Sequence, residues 1–285
     1  MIVKILYYIL ILPISFLPYN IIYFISDIIF FIIYKIIRYR KDVVLINLKN
    51  SFPDKGEIEL KKIMNEFYRH LSDIIMESIK GFTVSKSEIK NRVLFKNPEL
   101  INSFAANGQS IIVVTGHYNN WEMCAQAFPM NSDHQCITIY KSLANRFLDK
   151  KIYNSRSRFG LGLVAMQKIR GSFFKSSNPK AIVFVSDQNP SNTKRAHWLQ
   201  FLNQDTAVAF GAEKYAKEYN LPVVYASISK LNRGFYQVEY FLVTDTSENQ
   251  SNGKITESFT ERLENDIINQ PQYWLWSHKR WKHKR

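Results

Sequence analysis

The chain has 285 residues, 46% of them hydrophobic and 22% charged, and its 38 lysines and arginines against 24 acids give a formal net charge of +14. That composition excludes a disordered chain, and the charge points to an anionic partner: membrane phosphate, nucleic acid or an acidic protein. The only cysteines, Cys124 and Cys136, exclude a disulfide scaffold and a cysteine-rich metal site and fit a reducing, cytoplasmic setting.

The first element in chain order is apolar. Residues 5–34 hold one charge, Asp27, among Ile, Leu, Phe and Tyr. A bilayer crossing takes about 20 such residues. Pro13 and Pro18 interrupt the first half, and Asp27 would cost roughly 2.5–3.5 kcal/mol at a bilayer centre. The segment fits one span, a re-entrant pair of short helices, or an interfacial helix; a buried helix pair is the bland alternative. It lacks the small-residue cleavage pattern of a secretory signal and is expected to stay in the mature protein. Lys35, Arg38, Arg40 and Lys41 follow at once, and the positive-inside rule puts what comes next on the cytoplasmic side. The expected organisation is a membrane anchor over 1–38 and one domain over 39–285.

Residues 47–54 (NLKNSFPD) read as a polar turn after a short apolar run. Residues 55–80 have helical spacing, with Gly81 as the stop. A second helix is predicted over 100–106. Residues 110–116 (SIIVVTG) form a continuous β-branched run, the pattern of a buried parallel strand. The pattern then predicts a helix over 119–128, a strand over 135–140, a helix over 145–159 and a strand over 181–186. Beyond these come a helix over 207–219, strands over 222–228 and 235–243, and a helix over 256–268. Strands alternate with helices, so the expected fold is α/β with a central, mostly parallel sheet flanked by helices.

The segment richest in chemistry is residues 115–122, TGHYNNWE. His117 and Glu122 are five apart, about 140° around a regular helix, and cannot meet if both are mid-helix. They meet if His117 lies in the loop and Asn119 or Asn120 caps the helix that carries Glu122. Both would then stand at the carboxyl end of a strand, where open α/β sheets bind ligands, beside backbone N–H groups able to face a developing oxyanion. This suits acyl transfer to a hydroxyl: the histidine takes the proton while the carboxylate fixes its tautomer. A structural histidine is the bland reading, and the spacing is not that of a metal site.

The run GHYNNWE resembles the H-x4-D/E signature of glycerolipid acyltransferases, and in its G-H-x-x-N-W-E form the late acyltransferases of lipid A biosynthesis. Four further segments are similar to that family in the same order: RKDVVLINLKNSFPD from Arg40, SRSRFG from Ser155, VSDQ from Val185 and QYWLWSHKRWK from Gln272. The resemblance implies transfer of a fatty acyl chain from acyl-acyl carrier protein to a hydroxyl of a lipid A precursor. It implies His117 as base, Glu122 as its partner, and Asn120, Arg156, Arg158, Asp187 and Gln188 as substrate-binding residues, with no cofactor and no metal. Two departures stand out: Asn119 where the family often has glycine, and Phe201-Leu202-Asn203 where it usually has Phe-Phe-Gly.

Companion features have plainer readings. Arg156 and Arg158 could be solvated, or grip phosphate in bidentate fashion. Asp187 could cap a helix. Lys194 and Arg195 suit a surface that meets lipid phosphate or carrier protein. The tail, with Trp274, Trp276 and Trp281 among lysines and arginines, suits nucleic-acid stacking or, better, given the apolar amino terminus, a membrane interface. His278 is expected to be structural or phosphate-binding.

The expected protein is therefore an acyltransferase on the cytoplasmic side of the inner membrane, with acyl carrier protein and a membrane lipid as partners and no nucleic acid. The runner-up is the same reaction on a lysophospholipid or an amino-acid lipid. A third reading is a non-enzymatic basic membrane adaptor.

Overall fold

The computed structural model of the protein describes residues 2–166 and 178–285. The chain opens with α1 (Ile2–Leu6), a π-turn (Tyr7–Ile11) and α2 (Leu12–Phe16). After a bend at Leu17 and Pro18 come α3 (Tyr19–Phe31), a second π-turn (Ile32–Ile36), α4 (Lys41–Ser51) and α5 (Glu57–Lys80). Next are α6 (Lys86–Arg92), β1 (Val93–Phe95), α7 (Glu99–Ala106), β2 (Ile111–Thr115), α8 (Trp121–Ala127), β3 (Gln135–Tyr140), α9 (Arg146–Arg156) and β4 (Gly162–Ala165). The chain finishes with β5 (Lys180–Val185), β6 (Ala196–Phe201), β7 (Gln204–Ala209), α10 (Gly211–Glu218), β8 (Val223–Asn232), β9 (Phe235–Thr244) and α11 (Lys254–Asn269).

Seven strands form one sheet in the order β1-β9-β8-β2-β5-β3-β4, and β6 and β7 make a separate hairpin. Every pairing in the large sheet is parallel except β8 with β9. The sequence-derived α/β class with a mostly parallel, helix-flanked sheet is what the chain adopts. β2 lies at the centre, and its residues feed two cores alternately. Ile112 and Val114 join a cluster with α5, α11 and the carboxyl tail; Ile111 and Val113 join one with α6, α7 and α8. A strand covered on both faces needs an unbroken apolar run, which is why SIIVVTG reads so clearly.

Three local readings need correction. Residues 207–219 are not one helix: Gln204–Ala209 is β7, and only Gly211–Glu218 is helical. Leu202 and Asn203 both have positive φ (50° and 60°), the geometry of a two-residue hairpin turn, and it folds β7 back on β6. Glu264 steadies the leucine by accepting its N–H at 2.6 Å. The polar turn expected at 47–54 is largely the end of α4, which runs to Ser51. Asn47 is buried there and donates to the carbonyls of Trp276 and His278, so it lies on the inward stripe with Val44, Leu48 and Ser51. The pattern also passed over α6, which carries a complete Ser85–Glu88 capping box, and the short strands β1, β4 and β6.

The tail reading changes as well. Trp274 and Trp276 are buried, with rings 4.7 Å apart at 88°, and Arg280 is buried beside them. These residues seal the core behind the sheet and face neither lipid nor nucleic acid.

Candidate active site

Strand register assembles the site. β2 and β5 pair in parallel with Thr115 opposite Val185. Continuing each chain by two residues brings His117 beside Asp187 at the carboxyl ends of adjacent strands, where open sheets hold their ligands. The chain confirms this: His117 Nδ1 is 2.6 Å from Asp187 Oδ1, and the His117 backbone N–H donates to Asp187 Oδ2 at 2.9 Å. Trp274 Nε1 donates to the same oxygen at 2.8 Å. Burial would raise the Asp187 carboxyl, but the His117 imidazole and the donated hydrogen bonds outweigh it and hold the group down at about 2. Asp187 is therefore a carboxylate at neutral pH. Behind it is a void of only about 10 Å³, lined by Thr115, Ser186 and Arg280 among others, room for no more than one water.

A carboxylate accepts and does not donate, so His117 carries its proton on Nδ1, and Nε2 keeps a free lone pair. Gln188 Nε2 lies 3.1 Å from that nitrogen. Trp121 meets the imidazole edge-on at 5.0 Å. The ring is thus held on three sides while a fifth of the side chain stays open to solvent. Gly116 permits the close approach: a Cβ there would lie 2.8 Å from both Leu263 methyls and 3.4 Å from the Asp187 carboxyl carbon.

The carboxylate on His117 is Asp187, which corrects the expected pairing with Glu122. Glu122 faces another way, in the first turn of α8, and takes a two-pronged contact from Arg156 at the end of α9, through Nε at 2.8 Å and through Nη2. The loop between His117 and α8 explains the divergence. Asn119 has φ +53°, a left-handed residue that reverses the chain before the helix begins. Asparagine tolerates that conformation better than most residues.

Asn120 is the helix cap: its side-chain oxygen accepts from the Met123 N–H at 2.9 Å. Its amide donates to Glu77 at 2.5 Å, and the residue is fully buried. Both polar ends being occupied inside the protein, Asn120 braces the site and does not line it, against the expectation of substrate contact. Glu77 also accepts from Tyr23 and Tyr236, and burial pushes its carboxyl up. Arg158 donates to the carbonyl of Gly81, at the end of α5.

A family model described as bacterial lipid A biosynthesis acyltransferase matches residues 1–283. The chain belongs to that family. A protein of Haemophilus influenzae named lipid A biosynthesis acyltransferase is 23% identical over 239 residues, covering 83% of this chain and 75% of the relative. As a lipid A biosynthesis acyltransferase family member the protein is an enzyme of acyl transfer, and the family implies a membrane association.

Among the described residues the His117 ring hydrogen-bonds only Asp187 and Gln188, and no serine, threonine or cysteine. Both cysteines are buried, and burial pushes the Cys136 thiol up to about 12 and the Cys124 thiol higher still. Neither is poised for nucleophilic attack. Sequence reasoning missed Trp274 as a site residue, because its role is a single N–H aimed at Asp187 from a distant tail. His278 is structural: its Nε2 accepts the Asn189 N–H at 3.1 Å, which holds the loop after Gln188, and burial lowers its pKa. Among the described residues no cluster of three or more His, Cys, Asp or Glu side chains suits a metal ion.

Proposed function

We propose that the protein transfers a fatty acyl chain from acyl-acyl carrier protein to a hydroxyl of a lipid A precursor at the cytoplasmic face of the inner membrane. The observation that carries this reading is the imidazole anchored through Nδ1 to Asp187, with Nε2 turned to the Gln188 amide at the carboxyl end of the sheet.

The acceptor hydroxyl replaces Gln188 as the partner of His117 Nε2. Nε2 takes its proton as the oxygen attacks the thioester carbonyl. The imidazolium is stabilised by Asp187, already ionised. When the tetrahedral intermediate collapses, the C–S bond breaks, the ester forms, and the thiolate of the carrier takes the proton back from Nε2. Charge and protons balance, and the enzyme returns to its starting state. Glu122 and Arg156 act beside this pair, joining α8 to α9 so that Trp121 stays against the imidazole. The excess of 14 positive charges suits both an acidic carrier and an anionic acceptor.

The test is to incubate the protein with acyl-acyl carrier protein and a lipid A precursor, then measure free carrier thiol and product mass. The expected result is one thiol released for each acyl chain gained by the precursor. Transfer to a lysophospholipid in preference to the precursor would replace the acceptor while keeping the chemistry.

A further inference from the structure

We infer that the amino-terminal apolar segment lies flat on one leaflet, an in-plane docking surface for anionic lipid, and does not cross the bilayer. This deepens the membrane setting of the proposed function and draws on none of its chemistry.

Tyr19–Ile36 is long and apolar enough to cross a membrane, and only about a fifth of it is buried within the protein. Its contacts, however, run in step along α5. Thr83 donates to the carbonyl of Ser15, and Lys80 to that of Leu17. Tyr23 bonds Glu77, and Ser26 bonds Asp73 at 2.8 Å. The guanidinium of Arg69 stands over the Phe30 ring, Tyr34 packs on Tyr68, and Tyr68 donates to the Tyr39 carbonyl. As one residue number rises the other falls, so from Ser15 to Tyr39 the segment runs antiparallel to the second half of α5.

A spanning helix would have to take α5 with it. That part of α5 carries His70, Asp73, Glu77 and Lys80, all buried, and their partners reach the sheet. Asp73 pairs with Lys230 of β8 and with Arg233, and Glu77 with Tyr236 of β9. Arg233 also grips Asp27, the one acidic residue of the segment, at 2.7 Å. Hydrocarbon around α3 would therefore surround the edge of the catalytic sheet, with its charges.

The outer face of the same helix is built for lipid. Ile21, Phe24, Ile28 and Phe31 follow one another three or four apart and are 41–67% exposed, opposite the buried Ile22, Ser26 and Phe30. Phe16 and Ile9, ahead of the Pro18 bend, are exposed as well. Cations stand at both ends: Lys4 and Lys151 over Phe147, with Lys151 also over Tyr7 and Tyr8, and Lys35 and Lys41 over Tyr34. An exposed apolar strip with cations near both ends matches a leaflet surface with anionic headgroups. Pro13, ahead of the bend, is accommodated within the helical stretch. Pro13 would clash with the carbonyl four residues back, and the π-turn before it, with the Leu12 N–H bonded to the Tyr7 carbonyl, opens that space.

The experiment uses the full-length chain with single cysteines introduced at exposed positions: Lys4→Cys, Phe24→Cys and Phe31→Cys. The native cysteines are buried and should stay silent. In spheroplasts, a membrane-impermeant maleimide should leave all three unlabelled until the cells are opened. On vesicles containing phosphatidylglycerol, fluorophores at positions 24 and 31 should report one shallow depth, about 5–10 Å into the headgroup boundary. Binding should fall steeply when phosphatidylcholine alone is used. Labelling of Lys4→Cys from outside intact spheroplasts, depths at 24 and 31 that differ by about 10 Å, the rise over seven helical residues, or equal binding to neutral vesicles would each overturn the inference. Absence of acyl transfer by the same preparation would bear on the proposed reaction and leave these readouts as they are.

Discussion

His117 and Asp187 are 70 positions apart in the chain and 2.6 Å apart in space, joined because β2 and β5 pair in register. The contact fixes which imidazole nitrogen carries the proton. Asp187→Asn keeps the shape but offers an N–H to Nδ1, so the ring takes the other tautomer and loses its basic Nε2. The acyl-transfer rate should fall by about 10³–10⁴-fold, as carboxylate-to-amide changes do at such a pair. A rate within a few-fold of wild type would remove Asp187 from the mechanism.

Glu122 and Arg156 form their own pair, so their energetic coupling should be to each other. Arg156→Lys keeps the charge but not the planar fork, and should remain clearly impaired. A double-mutant cycle of Glu122→Gln with Arg156→Lys should show coupling of about 0.5–3 kcal/mol in thermal stability. The cycle of Glu122→Gln with His117→Ala should be near additive. Strong coupling in the second cycle and none in the first would restore Glu122 as the partner of the histidine.

Trp274→Phe keeps a ring in the core while removing the N–H that Asp187 accepts at 2.8 Å. Loss of a hydrogen bond to a charged group should cost about 1.5–3 kcal/mol of stability, read by denaturant unfolding. The rate should drop less than in Asp187→Asn, since the tautomer is unchanged. No change in either quantity would show that the indole fills space only.

Much of this arrangement is legible in the sequence, and the illegible parts share a cause. β2 and β5 stand out because strands covered on both faces must be apolar throughout. His117 and Asp187 each follow such a run by two residues, so both are recognisable as strand-end polar groups. Their pairing is not, since it depends on strand order, and β5 reaches β2 only after β3 and β4 have been laid beyond it. Glu122 looks like the partner because it is near in sequence, but the left-handed Asn119 turns the helix away. The tail tryptophans resemble an interfacial belt because composition does not reveal that Trp274 and Trp276 meet edge-to-face inside the core. Asn47 hides α4 in the same way: a polar residue on an inward stripe is readable only once its partners in the tail are known.

Acid unfolding gives a separate check. The folded-state pKa of Asp187, about 2, lies below its ordinary value of 3.8, so its interactions stabilise the fold above that value. The contribution, on the order of 2 kcal/mol, should disappear as pH falls from about 4 to about 2. The stability gap between wild type and Asp187→Asn should therefore be full at neutral pH and narrow across that window, measured by denaturant unfolding at each pH. A gap that is constant down to pH 2 would contradict a depressed carboxyl.

The most direct measurement is the rate of acyl transfer from acyl-acyl carrier protein to a lipid A precursor by wild type, His117→Ala and the His117→Ala/Asp187→Asn double variant, with unfolding curves for each. A general base contributes about 10²–10⁴-fold, so His117→Ala should lose that much with its fold intact. The double variant should be little worse than the single, because the two residues act as one unit. Near-wild-type transfer by a folded His117→Ala protein would contradict the account at its centre.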